Sequence, residues 1–443
     1  MRTPIRDFVA AYGQNCAHRL HMPGHKGAGP LGCEALDITE VAGADDLACP
    51  EGVILASEEN ATELFGSRHT FYSAGGSSQC VKAMLHLAYI YRPEGAGNRI
   101  LAARNAHKSF LHGCALLGLE PVWLYPDAPS PLCSCPVSPE ALGRALDAGE
   151  RPCAVYITSP DYLGGVQDIA ALAEVCHARG VPLLVDNAHG AYLKFLAPSR
   201  HPLDLGADMC CDSAHKTLPV LTGGAYLHVA KGAAAPYEAE ARHSLAVFGS
   251  SSPSYLILQS LDLCNAQLAA DYPGRIRGTA EAVTALARAL GIAPAEGDPL
   301  KLAVPAYEFG RTGQELAALL RERRSEPEYA DEDWLVLMFT PEVDPGAFDA
   351  VRAALSGLSR GGARRPQALP GPGERVLSPR EALLSRRVSV PVREAAGRVC
   401  AEAAVSCPPA IPIAVCGERI SPEAAALMEK LGVCSISVAE GLE

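Results

Sequence analysis

The sequence of 443 residues lacks several features that define common classes of protein. No two cysteines have the Cys-x-x-Cys spacing, and the nearest approaches, Cys133-Ser-Cys135 and the adjacent Cys210-Cys211, do not suit a zinc site. No stretch approaches the roughly 20 apolar residues that span a bilayer. The N-terminal segment also lacks the apolar core of a signal peptide. We therefore expect a cytoplasmic protein with reduced thiols, no metal site and no association with membranes.

Basic clusters and nucleotide-binding loops are missing as well. The chain has 38 Lys and Arg against 50 Asp and Glu, a formal net charge of -12, so a nucleic-acid-binding surface is not expected. The same charge is compatible with a small cationic substrate. Neither a GxxxxGKS/T loop nor a GxGxxG fingerprint occurs, which argues against a nucleotide as the cofactor.

Short apolar segments alternate with helical patterns through the first half of the chain. VPLLVD at 181–186 is a continuous apolar run of the kind that is buried in a parallel sheet, and a segment of helical periodicity, 168–180, precedes it. This alternation predicts an α/β fold in which helices cover a mostly parallel sheet on both faces. Further patterns are the strands RILAARN (99–105), PVWLYP (121–126), CAVYIT (153–158) and AYLHVA (225–230), and the helix AHKSFLHGCALLG (106–118).

The length of the chain permits one large domain with a smaller second domain. We predict an N-terminal arm at 1–30 that includes a short helix, a large domain at 31–292, and a small C-terminal α+β domain at 293–443. The small domain has two strand patterns and two helix patterns, at KLAVPA (301–306), DWLVLMF (333–339), PGAFDAVRAALSGL (345–358) and SPEAAALMEKLG (421–432).

Polar residues follow the predicted strands at the edge where open α/β sheets bind ligands. The turn AGGSS at 74–78 opens an amphipathic helix, so its backbone N–H groups and hydroxyls would bind an anion, although the same pattern is common in ordinary helix caps. His107 follows the strand at 99–105, where its flat ring would either stack on an aromatic ligand or serve a purely structural role.

A carboxylate and a lysine complete this set. Asp186 ends the apolar run at 181–186, where a buried charge needs a partner such as a protonated ring nitrogen, unless its side chain caps the next turn. Lys216 lies in DSAHKTLPVLTGGAYLHV and either extends its amine to solvent or forms a Schiff base with an aldehyde. Phosphate donors, a stacking ring, a carboxylate and an amine are the contacts that pyridoxal phosphate needs.

The stretches around these residues resemble the ornithine/lysine/arginine decarboxylase family of pyridoxal-phosphate enzymes. The resemblance implies the aspartate-aminotransferase fold (fold type I), with a large domain on a mostly parallel sheet and a small α+β C-terminal domain. It covers most of the chain and implies a short form without the additional N-terminal domain of the larger enzymes. The matching stretches are HMPGHKG (21–27), GADDLACPEGVI (43–54), AGGSS (74–78), RNAHKS (104–109), TSPDYLGGVQDI (158–169), VDNAHGAY (185–192), SAHKTLPVLTGGAYLH (213–228), SSSPSYLILQSLD (250–262) and SCPPAIPIAVCGERI (406–420).

The resemblance also implies a role for each candidate residue. Lys216 would carry pyridoxal 5′-phosphate as a Schiff base, Asp186 would pair with the pyridine nitrogen, and the ring of His107 would stack on the cofactor. His189 would lie on the side of the ring oxygen of the cofactor. A homodimer or higher homo-oligomer with shared active sites is implied, in which the phosphate is held by Gly76, Ser77, Ser213 and His215 and by Ser251 of the partner subunit.

The implied activity is the decarboxylation of a basic amino acid (arginine, lysine or ornithine) to CO2 and an amine of polyamine biosynthesis. Loss of CO2 leaves electrons that the cofactor ring accepts, and Lys216 or His107 returns a proton. Two alternatives remain, namely another reaction of the same cofactor, such as transamination or β-elimination, and a non-catalytic relative that serves as a binding module. No arginine is clearly the carboxylate clamp of an aminotransferase, since each C-terminal candidate suits the surface: Arg387, Arg393 and Arg398.

The sequence departs from the pattern of the family at three positions. Asn187 follows Asp186 where an acidic residue is expected, Gly76 stands where Ser or Thr is common, and Ala410 replaces a usual glycine in the Pro-rich C-terminal segment. These changes put the substrate and the affinity for the cofactor in question but leave the main roles filled. The acidic residue that recognises the distal group of the substrate is not identified, and Glu418 is a candidate.

Overall fold

The computed structural model describes residues 1–295, 297–361, 367, 371–405 and 412–442, apart from the side chain of Val405. Its strands are β1 His69–Ser73, β2 Arg99–Ala103, β3 Glu120–Leu124, β4 Ala154–Thr158, β5 Leu183–Asp186, β6 Met209–Asp212, β7 Ala225–Val229, β8 Lys301–Pro305, β9 Tyr329–Ala330, β10 Trp334–Met338, β11 Arg387–Pro391, β12 Ala404–Val405, β13 Ala414–Val415 and β14 Ser435–Ala439. Its helices are α1 Pro4–Asn15, α2 Val53–Phe65, α3 Gly76–Ile90, α4 Lys108–Leu117, α5 Pro139–Asp147, α6 Ile169–His177, α7 Ala214–Thr217, α8 Ala235–Val247, α9 Tyr255–Leu268, α10 Tyr272–Ala289, α11 Gly313–Arg321, α12 Gly346–Leu355, α13 Pro379–Leu384 and α14 Pro422–Lys430.

The structure confirms the strands and helices that the periodicity predicts. The five strand patterns of the first half are β2, β3, β4, β5 and β7, and the two strand patterns of the C-terminal region are β8 and β10. The four helix patterns are α4, α6, α12 and α14. The pattern does not predict β1 and β6, because these short strands place polar side chains such as Thr70 and Asp212 at fully buried positions.

The chain forms two compact units, of which the first comprises residues 1–93 and 182–275. Four of its strands follow the order β1-β7-β6-β5, in which β5 is parallel to β6 while β7 is antiparallel to β6 and β1. The register pairs Asp186, the last residue of β5, with Cys211 of β6. Since parallel strands end at the same edge of a sheet, the residues that follow β5 and β6 lie side by side.

The helix of the predicted N-terminal arm is anchored within the first unit. Ile5 and Val9 on one face of α1 are buried, as the helical spacing of apolar residues requires. The carboxylate of Asp262 on α9 accepts hydrogen bonds from Arg6 N at 2.9 Å and from Ser57 Oγ of α2 at 2.6 Å. Burial raises the pKa of Asp262 to about 6. Helices α1, α2 and α9 therefore meet at one buried carboxylate.

The second unit comprises residues 94–181 and 276–443. Three of its strands are parallel in the order β4-β2-β3, and Ile100 of β2 pairs with Ala154 on one side and Pro121 on the other. Its C-terminal part has three small antiparallel sheets, β8-β10-β9, β11-β14 and β12-β13. Two apolar cores form there, one between α11, α12, β8 and β10 and the other between α14 and β14.

The pairings described among β1 to β7 confirm the predicted α/β class with a mostly parallel sheet, because those of β7 are antiparallel and the others are parallel. The predicted domain limits at 30/31 and 292/293 stay a prediction, since the compact units divide the chain elsewhere. Among the helices of the described residues, none combines the length and the apolar composition needed to cross a bilayer. The cysteines in those residues all have free thiols.

Candidate active site

Lys216 lies on α7, the one-turn helix that follows β6 in the first unit. The turn is closed by hydrogen bonds from Lys216 N to Ser213 O (3.0 Å) and from Leu218 N to Ala214 O (2.8 Å). Nζ of Lys216 lies 3.0 Å from Nε2 of His189, which is in the turn after β5. An ammonium group can only donate, so Nε2 accepts and the ring proton of His189 is on Nδ1. The structure thus brings together the predicted lysine and one predicted histidine.

Asp186 is buried at the end of β5, three residues before His189 in the sequence. Its side chain is only 3% exposed. Oδ1 accepts a hydrogen bond from Ala188 N at 3.2 Å and lies 3.8 Å from Sγ of Cys211 on the adjacent strand. One carboxylate oxygen therefore caps the following turn, as in the second of the two interpretations above. The hydrogen bond from Ala188 N does not neutralise the carboxylate. Asp186 therefore still has a negative charge at the carboxyl end of β5, where open α/β sheets bind ligands.

Two serine hydroxyls meet at the first turn of α3, where the sequence predicts an anion site. Ser213 Oγ donates to Ser77 Oγ at 2.6 Å, which joins the residue after β6 to the start of α3. Gly76 has φ of +70°, and no heavy atom lies within 4 Å of the position where a Cβ would be. Its N–H donates to Gly223 O at 2.8 Å, so the N–H groups of Ser77 and Ser78 are the first-turn donors that suit a phosphate.

The positive φ of Gly76 explains one of the departures from the family pattern. A side chain of Ser or Thr is strained in this left-handed conformation, whereas glycine adopts it without cost. The space where a Cβ would lie is open, and the paired hydroxyls of Ser77 and Ser213 belong to the same helix start. A cradle of this composition fits the phosphate of pyridoxal phosphate.

His215 is oriented by the chain that leads into β7. Its backbone N donates to Gly224 O at 3.3 Å, and Nδ1 donates to the same oxygen, which is 2.9 Å away. Because Nδ1 carries a proton in this contact, Nε2 would donate to a phosphate oxygen only in the imidazolium form. The predicted role of His215 in phosphate binding thus requires one particular protonation state.

Two further predicted site residues, His107 and Ser251, belong to other segments of the chain. His107 belongs to the second unit, where it is the N-cap of α4, and its Nδ1 accepts a hydrogen bond from Ser109 N at 3.2 Å. Ser251 is exposed in the loop between α8 and α9 of the first unit. The stacking of His107 on a cofactor and the contribution of Ser251 to a second subunit stay predictions. Ala410 lies outside the described residues.

The sequence reasoning missed Asp212, a buried carboxylate at the end of β6. Its Oδ1 accepts a hydrogen bond from Nδ2 of Asn187 at 2.6 Å, so it contacts the residue that directly follows Asp186. The signal was present, because Asp212 ends the apolar run MCCD just as Asp186 ends VPLLVD. An Asp before a Ser also suits a helix cap, which hides such a residue among ordinary turns.

Glu418, the candidate for recognition of the substrate, is bound by a buried arginine of the second unit. Its two carboxylate oxygens accept hydrogen bonds from Nη1 and Nη2 of Arg104, each at 2.7 Å, and Oε2 also accepts one from Val415 N at 3.1 Å. Arg104 is buried and lies over the ring of Trp123. Because both oxygens are used in this bidentate pair, Glu418 stabilises the second unit and is not available to a substrate.

This buried pair yields a prediction for stability. Glu418→Gln leaves the guanidinium of Arg104 buried without its counter-charge, so we expect the free energy of unfolding to fall by about 3–5 kcal/mol. Arg144→Gln removes an exposed pair with Asp127 (3.3 Å) and is the control, with an expected loss of at most about 1 kcal/mol. Urea unfolding followed by circular dichroism measures both, and equal losses would contradict the structural role of Glu418.

Comparison with known proteins identifies the family. The Orn/Lys/Arg decarboxylase major domain matches residues 3–287, and the C-terminal domain of the same family matches residues 372–436. The chain belongs to the Orn/Lys/Arg decarboxylase family. This result confirms the predicted resemblance and the predicted enzyme class, amino-acid decarboxylase.

Individual relatives agree with this assignment. The chain is 31% identical over 472 residues to the uncharacterized protein YaaO of Bacillus subtilis (strain 168), covering 97% of this chain and 94% of the relative. It is 31% identical over 456 residues to the arginine decarboxylase of Halalkalibacterium halodurans, covering 95% and 91%. The structure of lysine decarboxylase A from Pseudomonas aeruginosa superposes with a TM-score of 0.80 at 18% identity, covering 99% of this chain and 80% of that one. The last similarity confirms the predicted fold.

Proposed function

We propose that this decarboxylase uses pyridoxal 5′-phosphate to convert a basic amino acid, with L-arginine as the first candidate, to its amine and CO2. The observation that carries the proposal is the contact of Lys216 Nζ with His189 Nε2 at 3.0 Å, in the same compact unit as the buried Asp186 and the Ser77–Ser213 hydroxyl pair. Arginine is placed first because a relative that matches nearly the whole chain is named arginine decarboxylase.

The residues of the first unit fit three parts of the cofactor. The amine of Lys216 would hold its aldehyde carbon, and the buried carboxylate of Asp186 would face its ring nitrogen. The hydroxyls of Ser77 and Ser213 and the N–H groups of the first turn of α3 would hold its phosphate. When bound, pyridoxal phosphate supplies a ring that accepts the electron pair released as CO2 leaves the substrate.

The side chains then have separate tasks in the reaction. The negative charge of Asp186 would hold a proton at the ring nitrogen that it faces and would thereby stabilise the transition state. The amine of Lys216 would return a proton to the α-carbon of the substrate, and Nε2 of His189, 3.0 Å away, would orient that amine. The overall reaction consumes one proton for each amino acid converted. His107 is a second candidate for the proton donor.

We also propose that the enzyme is a homodimer or a higher homo-oligomer. The exposure of Ser251 supports this proposal, since a residue predicted to serve the site of the partner must be accessible on its own chain. In the predicted N-terminal arm and directly after it, Leu20 and Leu31 are 93% and 82% exposed, which is unusual for leucine and suits burial against a second copy.

A substrate panel tests the reaction and its substrate. Purified protein with added pyridoxal phosphate is incubated with L-arginine, L-lysine or L-ornithine, and CO2, amine and keto acid are quantified. We expect CO2 and agmatine in equal amounts from arginine. The reason is that the family and its named relatives are decarboxylases. Cadaverine or putrescine would reassign the substrate, whereas a keto acid without CO2 would contradict decarboxylation.

A further inference from the structure

Asp212 is the centre of a fully buried polar network in the first unit. Its Oδ2 accepts hydrogen bonds from Nε2 of His201 at 3.0 Å and from Nε2 of His228 at 3.1 Å, while Oδ1 accepts one from Nδ2 of Asn187 at 2.6 Å. None of the four side chains is exposed to solvent. Three donors thus surround one carboxylate, which is the arrangement that a buried charge requires.

Each histidine of the network has a second partner. Nδ1 of His201 accepts from Leu203 N (3.4 Å), which puts a ring proton on Nε2, and Nδ1 of His228 lies 2.9 Å from Thr70 Oγ1, a hydroxyl that can donate or accept. Burial lowers the pKa of His228. Burial alone would raise the pKa of Asp212, but the two histidines hold it below its ordinary value. Asp212 is therefore the ionised carboxylate of the network.

Asn187 connects this charge to the candidate active site. It directly follows Asp186, its N donates to Cys211 O at 3.0 Å, and its carbonyl oxygen accepts from Gly190 N at 2.8 Å. A Cβ on Gly190 would lie 2.0 Å from Oδ1 of Asn187, so the amide group is tightly enclosed. The turn 187–190, which includes His189, is thus held at Asn187 by the side chain of Asp212.

We propose that Asp212 is a positioning residue, which fixes the turn that carries Asp186 and His189 by holding Asn187. This inference rests on the proposed function. The acidic residue expected at 187 is replaced by an amide, and this amide donates to the carboxylate of Asp212 on β6.

The same cluster contains the donor types of a metal site. One donor atom of each of His201, Cys210 and Asp212 lies within 4.8 Å of the others. In the hydrogen-bonded network, however, Nε2 of His201 carries a proton, and a metal ion would have to displace it. The geometry favours the hydrogen-bonded network over a bound metal ion. A metal assay of the purified protein distinguishes the two. One equivalent of bound zinc per chain would overturn the positioning role.

The binding of two non-covalent probes isolates the effect that replacing Asp212 has on Asp186. Pyridoxine 5′-phosphate lacks the aldehyde, and its analogue with carbon in place of the ring nitrogen also lacks the atom that Asp186 would face. For the cofactor-free full-length chain, we expect Asp212→Asn to raise the Kd of the first probe about tenfold, with little change for the analogue. The double variant Asn187→Asp/Asp212→Asn restores one carboxylate and one amide and is expected to recover most of the affinity.

The control is Asp208→Asn, which removes a carboxylate that binds Leu183 N (2.8 Å) at the opposite ends of the same strands. We expect this variant to leave the ratio of the two Kd values unchanged. If Asp212→Asn lowers the affinity for both probes equally, or lowers neither, the positioning role is overturned. If that variant does not fold, the double variant decides, and failure to regain the wild-type ratio contradicts the proposal. Failure of the unaltered protein to bind either probe would instead refute the proposed function.

Discussion

Lys216→Ala is expected to lower kcat/KM by about 10⁴-fold with the preferred substrate, because the variant loses both the amine that would bind the cofactor and a candidate proton donor. The visible absorbance of the bound cofactor should disappear together with the activity. Folding should be little affected, since the hydrogen bonds that close α7 come from the backbone and not from Nζ. Decarboxylation assays and absorption spectra of the purified variant measure these effects.

Lys231→Ala is the matched control for this experiment. Lys231 is exposed in the loop after β7, within the same unit, and we expect its replacement to leave kcat, KM and the spectrum at their wild-type values. Retention of the cofactor spectrum by Lys216→Ala would mean that another amine holds the cofactor. Full activity of the variant would end the proposed role of Lys216.

The fold was predictable because periodicity and strand ends are local features of a sequence. VPLLVD predicts a buried parallel strand, and β5 is one: its apolar run is fully buried and it pairs in parallel with β6. The antiparallel direction of β7 was not predictable in the same way. AYLHVA is equally apolar in either direction, and the direction depends on the path of the chain between Asp212 and Ala225.

A residue of the candidate site was predictable only where its immediate sequence neighbours make that residue type unusual. A lysine between apolar runs and an aspartate at the end of a buried strand are each costly enough to require an explanation. The pairing of Arg104 with Glu418 joins residues 314 positions apart, and no local pattern indicates it. Asp212 likewise depends on donors from Asn187, His201 and His228, which only the folded chain brings together.

Asp186→Asn should lower kcat by about 10²- to 10³-fold, because an amide has no negative charge with which to hold a proton on the facing atom. The size and shape of the side chain are preserved. Oδ1 of the amide can still accept the hydrogen bond from Ala188 N, which is 3.2 Å long in this structure, so the turn after β5 should remain intact. Stopped-flow assays of the purified variant give kcat, and a thermal melt checks that folding is preserved.

The effect of Asp186→Asn on ligand binding should depend on the ring nitrogen of the ligand and not on its phosphate. With the two non-covalent probes described above, Asp186→Asn is expected to weaken binding of pyridoxine 5′-phosphate and to leave its nitrogen-free analogue unaffected. Ser213→Ala, which removes the hydroxyl that donates to Ser77 Oγ, should instead weaken both probes equally because both carry the phosphate. An Asp186→Asn variant with wild-type kcat would show that the buried carboxylate serves only to cap the turn at Ala188.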